Sequence, residues 1–339
     1  STRRSPPSSW PRLTDWQENN DMSRDQTMQP FKKGDIFIAC TLLNDPQDDH
    51  AGDGRIWQYD NDMQFKGELW TEGGKHFVGG LEFDPNGLLW AFNDFAVIHV
   101  DPKTGRQLPL SDKFLPRAYR SASFDAQGNV FLGEHMKAEK RPDNEIARRT
   151  TTKFPVIPGE GVLGFGYVYQ YGPDWELKKV FHTECAPEIT HFKGVTHSSL
   201  HPSGEFITYA TETGKRLMRY DVINDRQMPD LVTYPGEDIA DRVWVIAVKY
   251  LPDGRLLITR GDYMEMLDEA GEVLKTYPLE TYGWSDIEIC GDGQHCLISN
   301  IREGTVVRVD VETGEHTGMI DTGFSAPNRC LAGVAECKG

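Results

Sequence analysis

One phrase returns five times along the chain. It reads GLEFDPNGLLW at Gly80–Trp90, SASFDAQGNVF at Ser121–Phe131, HSSLHPSGEFI at His197–Ile207, AVKYLPDGRLL at Ala247–Leu257 and DIEICGDGQHC at Asp286–Cys296. In every copy an apolar run meets a turn whose last residue is glycine, and a second apolar run follows. Asp84-Pro85-Asn86-Gly87 sets residues that tolerate positive φ where a tight turn needs them. The turn glycines Gly87, Gly128, Gly204, Gly254 and Gly293 are separated by 41, 76, 50 and 39 residues. Each interval leaves room for four short strands, and four strands every roughly 40–50 residues is the period of a β-propeller blade. The long interval reads as one blade carrying an insertion of about 30 residues.

A third-strand phrase counts the blades independently. It occurs as GRIWQYDND, FAVIHVDPKTG, GYVYQYGPD, RLMRYDVIND, YMEMLDEAG and TVVRVDVETG, six times against five for the first phrase. The missing inner strand belongs to the first unit, and CLAGVAEC (Cys330–Cys337) supplies it from the far end of the chain. The fold expected is all-β: a six-bladed propeller of four-stranded blades, its ring closed by the C-terminal strand joining the N-terminal blade and thereby removing an open sheet edge. Residues 1–33 carry no repeat grammar and read as a polar arm. Residues 34–339 form the propeller domain, with the insertion at about 136–165 as a lid. Closure brings Cys40 and Cys337 onto neighbouring strands, and Cys290 and Cys296 flank one turn, so both pairs are candidate disulfides. Six cysteines suit one to three bridges in a secreted protein. They leave the compartment open, with secretion or the periplasm favoured over the cytoplasm for this soluble chain.

The chain's 339 residues are 38% hydrophobic and 26% charged, which supports a packed core, and no apolar run reaches the ~18 residues a membrane span requires. A formal charge of −16 argues against a nucleic-acid partner, which calls for a basic face. The expected partner is a small-molecule substrate. Inner strands line a propeller's channel, and their starts share one mouth with the loops that follow the second strands, where ligands usually sit. That geometry collects candidate catalytic residues: His197 and Asp286, which replace the small residues at the positions of Gly80, Ser121 and Ala247; Arg120, for a carboxylate or enolate-like oxygen; and Glu134 with His135. Tyr119, Arg242, Trp244, Trp284, His76 and Asn300 are the candidate substrate contacts, the aromatic ones as a wall. No G-x-S-x-G and no H-E-x-x-H occurs.

The phrases GLEFDPNGLLWAFND and HSSLHPSGEFITYATETGKRLMRYDV resemble the senescence-marker-protein/gluconolactonase superfamily, the six-bladed propeller group that includes strictosidine synthase-like proteins. The resemblance covers most of Gly34–Gly339. It implies a divalent ion at the channel centre, held by Glu, Asn and Asp. The positions that match the family's asparagine and its equivalents are Gly79, Arg120, Thr196, Ile246 and Ser285, none of them Asn or Asp. A metal here would need another set, His197, Asp286, Glu134 and His135, whose nitrogen donors favour a transition metal. The resemblance implies a hydrolase of lactone or ester type. Loss of the usual ligands makes a metal-independent lyase, isomerase or cyclase the alternative, and a non-catalytic binding propeller the second alternative. The concentration of His, Arg, Asp and Trp at strand starts favours an enzyme.

Overall fold

A computed structural model describes residues 24–43, 52–73, 78–93, 96–138, 164–185, 194–212, 214–235, 245–323 and 333–339. Six four-stranded antiparallel sheets follow one another along the chain. The first contains β1 (Ile36–Leu43), β2 (Gly52–Tyr59) and β3 (Phe65–Trp70). The second contains β4 (Val78–Phe83), β5 (Leu89–Asn93), β6 (Ala96–Asp101) and β7 (Arg106–Gln107). The third begins with β8 (Tyr119–Phe124) and β9 (Val130–Glu134), then departs into a two-stranded ribbon, β10 (Lys137–Ala138) with β11 (Gly164–Phe165). It resumes with β12 (Val168–Tyr171) and β13 (Leu177–Phe181). The fourth is β14 (His197–Leu200), β15 (Phe206–Ala210), β16 (Arg216–Asp221) and β17 (Arg226–Thr233). The fifth is β18 (Val245–Tyr250), β19 (Leu256–Arg260), β20 (Tyr263–Leu267) and β21 (Val273–Pro278), and the sixth is β22 (Trp284–Ile289), β23 (His295–Asn300), β24 (Thr305–Asp310) and β25 (His316–Asp321). The last strand, β26 (Val334–Glu336), returns to the first sheet, pairing Ile36 with Glu336 and Ile38 with Val334. The molecule is therefore a six-bladed β-propeller with a first blade assembled from both ends of the chain. Among the described residues there is no helix, and so none long and apolar enough to cross a membrane.

Among the described residues an apolar cluster lies at each blade-to-blade interface and holds the ring. Phe37, Ala39 and Ile56 of blade one meet Leu81, Leu89 and Ile98 of blade two; Ile36, Ile38 and Cys40 turn the other way, onto Cys290, Leu297 and Val306 of blade six. The remaining four interfaces follow the same scheme. Successive residues of a strand face opposite sides, and in a propeller both sides are covered. The middle strands β5, β9 and β19 are accordingly buried at every position, so they lack the apolar–polar alternation of a half-exposed sheet. Carboxylates organise the outer turns. Asp101, Asp221 and Asp310 accept backbone N–H bonds within their own turns, which holds each below the usual carboxylate range. The five phrase glycines adopt φ between 68° and 92°, the left-handed region the turn requires.

The last part of the stretch read as an arm lies along the propeller: Thr27 and Met28 donate to the Glu68 carbonyl, and the Phe31 ring packs 4.4 Å from Phe37. Of the insertion, the ribbon at its base is described, while 139–163 lie outside the described residues. Neither candidate disulfide forms, and Cys185, Cys290, Cys296 and Cys337 are buried free thiols. Cys337 pairs by backbone with Asp35, five residues from Cys40 along β1, a separation of roughly 16 Å that no disulfide spans. Cys296 lies opposite Ile289, so Cys290 faces the other side of the sheet, and the two thiols belong to different inter-blade clusters.

Two predictions test this packing. A Cβ on Gly80 would lie 1.8 Å from the Arg120 carbonyl oxygen, so Gly80→Ala must push β4 away from β8. The expected cost, read from a denaturant midpoint, is about 3 kcal/mol. His99 is buried, stacked 4.3 Å from Trp175, with no hydrogen-bond partner for Nε2, and burial lowers its pKa to about 4. This pKa lies below the unfolded value, so the wild type is more stable above pH 6.5 and loses that increment as pH falls toward 4. Relative to His99→Phe, the wild type should lose about 3 kcal/mol across that window. Equal slopes for both proteins would show that burial does not lower the His99 pKa in the folded state.

Candidate functional site

Each inner strand packs against the inner strands of both neighbours, so β4, β8, β14, β18, β22 and β26 ring the channel. Four of them share a local irregularity. The pairing register slips between Val78 and Leu81, Tyr119 and Ser121, Val245 and Val248, and Trp284 and Asp286. A bulge inserts an extra residue and re-aims the side chains around it. Arg120 is the extra residue in β8, and Gly79 and Gly80 leave its side chain room, with a Gly79 Cβ position 3.6 Å from Arg120 Cγ.

Arg120 Nε lies 3.4 Å from His197 Nε2, and His197 Nδ1 lies 3.6 Å from Asp286 Oδ1. The three side chains come from blades three, four and six. A guanidinium only donates, so His197 Nε2 carries the lone pair and Nδ1 the proton. That proton faces Asp286 and the Ser285 carbonyl. Burial, reinforced by the Arg120 charge, pushes the His197 pKa well below its ordinary value, so the ring is neutral. Burial pushes Asp286 the other way, up to about 7, against the N–H of Val334 and the charges of Lys249 and Arg120. Asp286 Oδ2 accepts from Val334 N at 3.0 Å and Oδ1 from Ile287 N at 2.9 Å, which fixes the carboxylate in place.

His135 stands one step outward. Its Nδ1 is 3.2 Å from Thr196 Oγ1 and its Nε2 is 3.7 Å from Glu212 Oε2. Glu212 donates its own N–H to Thr196 Oγ1 and acts electrostatically on His197. Both residues lie at the mouth that the repeat phrase defines, Thr196 at the start of an inner strand and Glu212 just after a second strand, but the phrase does not show that they bracket His135.

The other sequence candidates separate from this group. Glu134 is fully buried, and its Oε2 accepts from the N–H groups of Phe165, Gly166 and Tyr167 and from the Tyr169 hydroxyl. Burial outweighs those bonds and the Arg117 charge, and raises its pKa to about 7. It clamps the chain where β11 re-enters the blade. Tyr119 is buried between blades two and three, with its hydroxyl 2.9 Å from that of Tyr171. Trp284 is core between blades five and six, its indole N–H given to the Thr281 carbonyl. Asn300 donates to Thr281 Oγ1 and the Tyr282 carbonyl and accepts from Arg302 and Glu303, bracing two loops. His76, Arg242 and Trp244 lie outside the described residues. The expected metal set does not assemble: among the described residues no three His, Cys, Asp or Glu side chains are grouped so as to hold a metal ion.

Toward the opposite mouth, the next inward position of the phrase carries Glu82, Ser123, Ser199, Lys249 and Glu288. Lys249 reaches across the ring to Glu82 at 2.6 Å and sideways to Glu288 at 2.9 Å, and Lys338 meets Glu288 at 2.8 Å. Burial disfavours the Lys249 charge, but the Glu288 and Glu82 carboxylates outweigh it and hold the ammonium well above its ordinary range. This network was legible as charged residues at an inward register position, a signal the phrase contains.

No family model matches the chain, and no curated protein matches it in sequence. Among solved structures, a chain of the nidogen/laminin complex superimposes with a TM-score of 0.58 at 10% identity, over 90% of this chain and 98% of that one. The streptogramin B lyase structure gives a TM-score of 0.47 at 13% identity, over 72% of this chain and 68% of that one. The first likeness shows the fold, the six-bladed propeller already described.

If Arg120 sets the state of its neighbours, Arg120→Met should raise the pKa of both His197 and Asp286, because a positive charge disfavours the imidazolium and favours the carboxylate. Histidine ring NMR titration reads the first directly. An unmoved His197 resonance would remove Arg120 from the group.

Proposed function

We propose that the protein is an enzyme acting on a small organic molecule at the Arg120 mouth of the channel, by proton transfer without a resident metal. The observation that carries this reading is the neutral imidazole of His197 held between the Arg120 guanidinium and the Asp286 carboxylate. Arg120 offers a charged donor for a carbonyl or carboxylate oxygen. When substrate takes the Arg120 donor, His197 Nε2 is released as a base. Proton abstraction beside the carbonyl leaves an enolate on Arg120, and Asp286 stabilises the imidazolium that forms. Collapse of the enolate with loss of a β-substituent completes an elimination. Return of the proton to another carbon completes an isomerisation. Both belong to the lyase or isomerase class.

A second reading is a hydrolase that opens a lactone or ester, with Arg120 on the tetrahedral oxyanion and His197 activating water. It is favoured by the resemblance of GLEFDPNGLLWAFND to the gluconolactonase group. The first reading is supported by the positions that match that group's asparagine, none of which is Asn or Asp, and by the lack among the described residues of three His, Cys, Asp or Glu side chains grouped to hold a metal ion.

The test is a panel of lactones and esters beside β-substituted carbonyl compounds, assayed after exhaustive chelation. The expected result is turnover on the second arm. Arg120→Met should cost about a hundredfold in kcat/KM, and His197→Gln at least as much. Activity should rise as pH increases through about 7, where Asp286 ionises, and Asp286→Asn should abolish that limb. Turnover confined to lactones would establish the hydrolase instead. Loss of activity on chelation, or unchanged kinetics in both variants, would overturn the metal-independent assignment.

A further inference from the structure

At the end away from Arg120, the glycine turns of blades two and three meet the turn between β12 and β13. Together they enclose a cavity of about 350 Å³, lined by Asp84, Trp90, Phe124, Asp125, Pro173 and Trp175 among others. That volume is at the lower end of small-ligand sites. Three aromatic rings form its wall. The Trp90 indole stands nearly perpendicular to Phe124 at 5.4 Å and to Trp175 at 5.9 Å. Phe124 and Trp175 are half-buried, so each keeps part of its ring open. Trp175 is held at φ 63°, a conformation that a residue other than glycine keeps only where its surroundings impose it. The His99 ring, stacked on it at 4.3 Å, braces the indole in that position.

Two carboxylates stand beside these rings, and neither has a cation. Asp84 Oδ1 accepts the N–H groups of Asn86 and Leu88, and its Oδ2 faces the Trp90 indole N–H at 3.5 Å. Asp125 Oδ1 accepts the N–H groups of Gln127 and Asn129, and its Oδ2 accepts the Asn129 amide at 2.7 Å. Every one of these donors is neutral. Among the described residues neither carboxylate joins an ion pair, and no lysine or arginine lines the cavity. The nearest cations are matched elsewhere. Lys113 pairs with Glu176 at 2.9 Å, and Lys249 and Lys338 pair with Glu82 and Glu288. Lys178 approaches the Gly172 corner in company with Asp174. His99 adds no charge near neutral pH, because burial lowers its pKa to about 4. The cavity therefore combines an aromatic wall with two uncompensated negative charges.

We propose that this cavity binds a small organic cation, an alkylammonium head group, against Trp175 and Phe124 and beside Asp84 and Asp125. The ring quadrupoles attract a cation to the aromatic faces. Methyl groups on the nitrogen bury against the rings while the carboxylates balance the charge. A hard inorganic cation calls for six or more oxygen ligands, which a wall of rings does not supply. The site stands apart from the Arg120 group and does not depend on its function.

The probe is tetramethylammonium chloride, titrated into the full chain by calorimetry with sodium chloride holding the ionic strength constant. The wild type should show saturable one-site binding with a Kd of about 1 mM. Trp175→Gly should weaken it about tenfold. Glycine adopts the positive φ of that position freely, so the turn survives the change. Asp125→Asn should weaken it about threefold, a difference that shrinks as salt is raised. Its side-chain oxygen can still accept both backbone N–H groups of the turn. Choline and a peptide carrying trimethyllysine are then compared, and the tighter of the two assigns the head group to a free molecule or to a modified side chain. Three results would sink the proposal: no saturable binding; equal affinities in all three proteins; or calcium binding that depends on Asp125 and not on Trp175, which would make the turns a metal loop.

Discussion

Everything in this molecule depends on a short antiparallel pairing between Val334–Glu336 and Ile36–Ile38. Without it the first blade would present β1 as an unpaired edge, and the apolar faces of blades six and two that Val334 and Ala335 help to cover would be bare. Ile36, Ile38 and Val334 belong to the cluster that joins blade six to blade one, while Phe37 and Ala335 belong to the cluster that joins blade one to blade two. Three residue pairs therefore seal two interfaces at once. Closure is also what makes a channel, and only a channel lets side chains from blades three, four and six, or two, five and one, meet across its axis.

The closed ring sets unusual terms for charge. Arg120, His197, Asp286, Lys249, Glu82 and Glu288 are all removed from bulk water to a large degree, and burial alone penalises every one of their charged forms. The structure answers in two ways. In the lower tier charges are paired at 2.6–2.9 Å, and Lys249 stays ionised. In the upper tier distances are longer, at 3.4 and 3.6 Å, and the groups respond by moving toward neutrality instead. The first arrangement is suited to holding a fixed shape, the second to exchanging a proton.

The fold was legible because turns and strands repeat. The glycine of each tight turn, the six third-strand phrases and the unpaired first blade together specify number, order and closure. The position shared by His197 and Asp286 was also legible, since the phrase aligns them, and the structure brings them within 3.6 Å. Side-chain direction near the strand starts was not. The bulges around Arg120 and Ser285 change which residues face the axis, and nothing in the local composition marks a bulge. Tyr119 and Trp284 turn into the interfaces between blades, and Asn300 braces its own loop. The cysteine pairs failed for a related reason: neighbouring strands were correctly inferred for Cys40 and Cys337, but a disulfide requires register, and register is set by backbone pairing that spacing alone does not reveal.

The strand that closes the ring is separated from its partner by nearly the whole length of the chain. Five blades can form during synthesis from contacts within and between successive segments, each with its own short turns. The first blade has to wait with an open inner edge until residues 334–336 leave the ribosome. For that interval the nascent protein carries an exposed row of backbone donors and acceptors at Ile36–Ile38, bordered by two bare apolar faces, the kind of surface that a chaperone shields or a second chain captures.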